Sequence, residues 1–178
     1  STPCGTSLYG SACGFGYGSV TADSSDNYHG NAVASIAAGG WDDNASNSVM
    51  GVAYNAGLHL TDWSQKGAET YYANHWADGT DNAKEKGMVV QNNSWGFTNT
   101  AYSTSTNYTS SSVATLATNG GLTSNATSID NYITALNSFQ ASGVIVYALS
   151  NTTSLSDADV AAALPEIYTQ LNEAWITV

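Results

Sequence analysis

Three short stretches of this chain carry side chains whose types and positions could do chemistry. His29 and Gly30 head the run "HGNAVASIAAGG", Ser94, Trp95 and Gly96 close "VVQNNSWG", and Asn151 follows "GVIVYALS". An imidazole at a helix start, beside a glycine that admits a close neighbour, can act as a general base. An Asn side-chain amide just past a strand end can donate a hydrogen bond to a developing oxyanion. An extended Ser-x-Gly segment can pair with a peptide backbone as an added strand. Each also has a plain structural alternative: a helix-capping histidine, a turn asparagine and a loop glycine.

Elements that would position these groups follow from the apolar spacing. Ala32, Val33, Ile36 and Ala37 recur at helical intervals and predict a short buried helix over Gly30 to Ala38. The run "GLHLTD" predicts a strand over about Gly57 to Asp62, and Ala68 to Lys86 reads as a helix ended by Gly87. "MVVQ" predicts a strand over Met88 to Gln91. Phe97 to Thr127 is a Ser/Thr/Asn-rich excursion, read as an insertion or as the seat of a short helix, because long structureless loops are uncommon in compact domains. Ile129 to Ala141 forms a second amphipathic pattern, "VIVYAL" a buried strand, and Val160 to Leu171 a helix that Asp157 opens and Pro165 bends. "AWITV" begins a further strand, while residues 1–28 show no period and read as loop.

Strands with continuous apolar runs, alternating with helices, predict an α/β fold: a doubly wound parallel sheet with helices on both faces. The whole chain reads as one partial domain. In such sheets function gathers at the carboxyl ends of the strands, where "NNSWG" and "SN" fall.

Composition narrows the function classes. Apolar residues make up 42% and charged residues 10%, so a core is affordable and disorder is excluded. Fourteen acidic residues against three basic ones, for a net charge of −11, exclude a nucleic-acid partner and disfavour anionic membrane surfaces. No stretch has the ~18 apolar residues of a membrane span. The balance suits an acidic protein at the cell surface or secreted, its targeting segment already removed, or one that binds divalent cations. Cys4 and Cys13 enclose a short Gly/Ser-rich loop and are read as a local disulfide, two free thiols being the alternative. Sequons at Asn44, Asn92, Asn107, Asn125 and Asn151 carry no weight in a chain so rich in Asn, Ser and Thr.

Taken in order, "HGNAVASIAAGG", "GVAYNAGLHL", "VVQNNSWG" and "GVIVYALSN" resemble the subtilisin-like serine peptidase family over about residues 26–178. The end, "ALPEIYTQLNEAWITV", is similar to the bacterial autotransporter-type members, and the chain looks like a central fragment of such a domain. The resemblance implies a secreted endopeptidase acting on peptides or proteins. His29 would be its general base and Asn151 its oxyanion-hole donor, with Ser94, Trp95 and Gly96 lining the groove beside an apolar P1 side chain. It implies no cofactor for the chemistry and permits a structural calcium, for which "WDDN" at Trp41 to Asn44 is the best candidate pair, a solvated turn being the favoured alternative.

The family also requires an orienting Asp before the histidine and an attacking Ser after the asparagine. Asp23 and Asp26 stand in no Asp-Ser/Thr-Gly turn, and "CGTS" at Cys4 to Ser7 lacks the small residue and proline that should follow. Both groups are therefore expected outside this chain, in the rest of its own polypeptide. Asn31 replaces a threonine of the family pattern, and Leu149–Ser150 replaces Ala-Gly. The alternative reading is a non-catalytic subtilase-like module for binding, assembly or a surface layer.

Overall fold

The computed structural model describes residues 29–39, 51–54, 56–97, 100–151 and 157–178. It divides into two compact units, Ser1–Thr61 and Asp62–Val178. Cys4, Cys13, Asp23, Asp26 and Trp41 to Asn44 lie outside the described residues, and with them the expected disulfide and calcium pair.

In the first unit, α1 spans His29–Ala38, as the small apolar period predicts, but it is not the buried helix expected: of its residues only Ala38 is buried, and Ile36 is 64% exposed. Its carboxyl end is closed by a returning segment. Val52 and Ala53 donate their N–H groups to the carbonyls of Ile36 and Ala37 at 3.0 and 2.8 Å, and Gly51 donates to Gly39 at 3.0 Å. These bonds satisfy carbonyls that a helix end leaves without an intrahelical partner. Residues 57–62 form no strand. An extended segment becomes a strand by pairing with a ladder partner, and no described residue pairs with this one, so Leu58 stays 47% exposed.

The second unit is a parallel α/β layer. Helix α2 (Tyr72–Glu85) leads through Gly87 (φ 74°) into strand β1 (Val90–Asn93). The strand starts two residues later than the apolar run suggests. Helices α3 (Ser110–Asn119) and α4 (Ala126–Gln140) follow, then strand β2 (Val144–Tyr147). A single turn, α5 (Leu164–Ile167), a 3-10 turn (Thr169–Leu171) and strand β3 (Trp175–Thr177) complete the unit. The sheet order is β1-β2-β3, all parallel, with Asn93 opposite Tyr147 and Tyr147 opposite Thr177.

Two local rules explain most of the helices. The Ser/Thr/Asn-rich excursion does hold a helix, because Thr109 and Ser112 form a reciprocal capping box at the start of α3. Asn125 and Ser128 repeat the device at the start of α4. The expected long helix over Val160 to Leu171 does not form. Pro165 sits in the first turn of α5, where its missing N–H costs nothing, and residues 160–163 are a turn built on Asp159.

The helices cover the sheet face that carries Ile145 and Tyr147, both fully buried. Helix α4 is the central layer, presenting Ile129, Tyr132, Ile133, Leu136 and Phe139 to the core. The opposite face bears Val90 and Ile176, 60% and 49% exposed. The alternation of inner and outer positions along β2 places Tyr147 inside and sends the chain out toward Asn151.

Candidate active-site elements

His29 is the first residue of α1, and its side chain is exposed. The neighbouring Gly30 has open space around it: a Cβ there would meet nothing within 4 Å in the structure. Among the described residues of the first unit, none demands a glycine at that position.

Ser94, Trp95, Gly96 and Asn151 belong to the second unit, and the sheet brings their two strand exits together. Strands β1 and β2 run parallel in register, and Ala148 N–H donates to the Asn93 carbonyl at 3.0 Å just beyond the last ladder pair. Both chains therefore leave the same carboxyl edge side by side. Asn151 stands exposed three residues past that bond, and Leu149 N–H donates to the carbonyl of Val178 at 2.8 Å on the other side.

Ser94 is half-buried, and its hydroxyl accepts a hydrogen bond from Asn92 Nδ2 at 2.8 Å. The Trp95 ring lies parallel to that of Trp63 (5.6 Å, 3°) and also meets Trp76 at 4.6 Å and Tyr147 at 5.6 Å. It is thus part of an aromatic cluster on the helix-covered side of the sheet. Behind that cluster the Tyr132 and Tyr147 hydroxyls meet at 3.4 Å, both fully buried. Burial pushes both phenols far above their ordinary range, so each stays neutral.

The residue that sequence reasoning missed is Asp159. It is 2% exposed, and its Oδ1 accepts the backbone N–H groups of Phe97 at 3.0 Å and of Ala161 at 2.8 Å. Burial raises its carboxyl above the usual range, while the two N–H donors pull it down. Gly96 passes directly over this group: a Cβ at Gly96 would lie 2.9 Å from both Cγ and Oδ1 of Asp159. The one local sign was an acidic residue abutting the apolar run "VAAALP", which reads equally well as a helix start and so did not mark a buried carboxylate.

No group of three or more His, Cys, Asp or Glu side chains among the described residues is arranged to hold a metal ion. The expected calcium pair, in Trp41 to Asn44, lies outside the described residues. No helix of the described residues is long and apolar enough to cross a membrane.

A parallel α/β layer whose paired strand exits end in Ser-x-Gly and Asn is the architecture expected of a subtilisin-like domain. The model of the Subtilase family matches residues 15–178, and the chain belongs to that family. It is a domain of the serine-peptidase type, and protein substrates are what the family implies. Neither a curated protein nor a solved structure gives a significant match.

Proposed function

We propose that this chain is the part of a secreted or cell-surface endopeptidase that supplies the general base and the oxyanion donor. His29 takes the proton from an attacking serine hydroxyl as its oxygen bonds to the scissile carbonyl carbon. It then returns that proton to the leaving amine as the carbon–nitrogen bond breaks. Asn151 donates its side-chain amide to the oxyanion that develops in between. The backbone of Ser94 to Gly96 pairs with the substrate chain. Neither the orienting Asp-Ser/Thr-Gly nor the nucleophile's Gly-Thr-Ser-x-Ala occurs in this sequence, so both groups come from the rest of the same polypeptide.

The observation that carries this reading is the family match over residues 15–178, which contains His29, the Ser94–Gly96 segment and Asn151 in the family's order. The test is labelling of the full-length polypeptide with a serine-reactive fluorophosphonate, alongside hydrolysis of apolar peptide amides. Labelling that is lost in His29→Ala supports the peptidase. Absence of labelling where a control peptidase reacts favours the non-catalytic module, a reading that the missing nucleophile motif keeps in play.

A further inference from the structure

The geometry points to Asp159 as a positioning residue for peptide binding: its buried carboxylate fixes the course of the Ser94–Gly96 segment against the segment that starts at Asp157. The inference rests on the peptidase-type reading, in which that segment pairs with substrate. Residues 62 apart are joined when Asp159 Oδ1 accepts the Phe97 N–H, and the same oxygen accepts Ala161 N–H and so fixes its own loop.

Backbone bonds extend the tie. Tyr102 N–H donates to the Ala158 carbonyl at 2.8 Å, Val160 N–H donates to the Thr100 carbonyl at 3.0 Å, and Ala101 bridges Asp159 antiparallel. Thr100 to Tyr102 are thereby docked along Ala158 to Val160. Gly96 has no side chain to hold the carboxylate away, so the main chain runs at contact distance over it.

A segment that adds a peptide as an extra strand must offer its N–H and C=O groups in a fixed direction, because each ladder bond weakens steeply when misaligned. The neighbouring Phe97 side chain is 1% exposed and anchors the same turn in the core. Asp159 anchors its backbone. One anchor sets where the segment lies, and the other sets how its peptide planes are turned.

The experiment compares Asp159→Ala and Asp159→Asn in the full-length polypeptide. It follows amide exchange at Phe97, binding of a fluorescein-labelled apolar tetrapeptide amide, and KM and kcat on a chromogenic tetrapeptide. Asp159→Ala should lose Phe97 protection and raise the peptide Kd and KM about tenfold, with kcat changed far less. Asp159→Asn, which still offers a carbonyl oxygen to both N–H groups, should recover most of the protection and affinity. If Asp159→Ala does not fold, Asp159→Glu replaces it, since the extra methylene displaces the acceptor, and the same directions are expected. Equal loss of kcat with KM unchanged, or a peptide Kd that ignores the substitution, overturns the inference. A wild-type protein that binds the peptide without cleaving it removes the peptidase reading and leaves the binding arm to decide Asp159. A wild type that does not bind it overturns both.

Discussion

Gly96 and Asp159 depend on each other: the carboxyl group of Asp159 occupies the volume that any side chain at position 96 would need, 2.9 Å from where its Cβ would stand. The glycine is set by a nonlocal neighbour, and the neighbour's burial is possible because the position is a glycine. The pair sits at the exit of β1, beside the exit of β2, at the edge where the proposed chemistry would take place.

Gly96→Ala should therefore destabilise the second unit by about 1–3 kcal/mol, the range for overpacking a well-filled site. Combining it with Asp159→Ala should be non-additive, because the second change removes the atoms in conflict. Denaturant titration of the two single variants and the double checks this. Additive losses would mean that the clash is relieved elsewhere.

Stability should vary with pH in a direction set by Asp159. Its carboxyl is raised above 3.8 in the folded state, so between that value and its folded pKa the native protein binds more protons than the unfolded chain. Unfolding free energy then falls as pH rises through this window. Asp78 and Asp81 are raised mainly by burial as well and act in the same direction. Asp159→Asn should remove its own share of the slope and leave theirs. Equilibrium unfolding across mildly acidic pH measures the difference, and an unchanged slope in the variant contradicts the assignment.

Trp95→Ala should cost stability and not only specificity. The ring is a half-buried member of the Trp63, Trp76 and Tyr147 cluster, so the loss should be about 2–3 kcal/mol, below the ~3–5 kcal/mol of a fully buried aromatic. Trp95→Phe should retain most of it. A variant with altered P1 preference and unchanged denaturation midpoint would restore the ring to a groove wall alone.

Asn151→Ala should lower kcat of the full-length polypeptide with little effect on stability, since the residue is exposed at a strand exit. Subtilisin itself supplies the scale for losing such a donor, about 2.7–4 kcal/mol of transition-state stabilisation. Steady-state kinetics and a melting curve on the same sample separate the two effects. A drop in melting temperature that accounts for the lost activity would make Asn151 a structural residue.

Local patterns explain why several elements were legible. The continuous run Val144 to Tyr147, the small-residue period from His29 to Ala38 and the helix behind Ile129 all carry their own folding signal, and each appears within a few residues of its expected place. The strand expected at Gly57 to Asp62 and the long helix across Pro165 had equally good local patterns and failed. Residues 57–62 find no described ladder partner, and the chain before Pro165 turns about Asp159 instead of continuing a helix.

By itself, the sequence determined most of the order of helices and strands in the second unit, the acidic balance of the chain, and the family, whose model matches residues 15–178. Those features are local or additive, carried by apolar period, glycine punctuation and charge count. Tertiary structure alone decided that β1 and β2 leave the sheet side by side, that Trp95 turns into an aromatic cluster, and that Asp159 lies under Gly96. Each of these joins residues far apart in the chain. Packing and hydrogen bonding across such distances leave no periodic trace in the sequence, because each partner looks ordinary until the fold brings the other beside it.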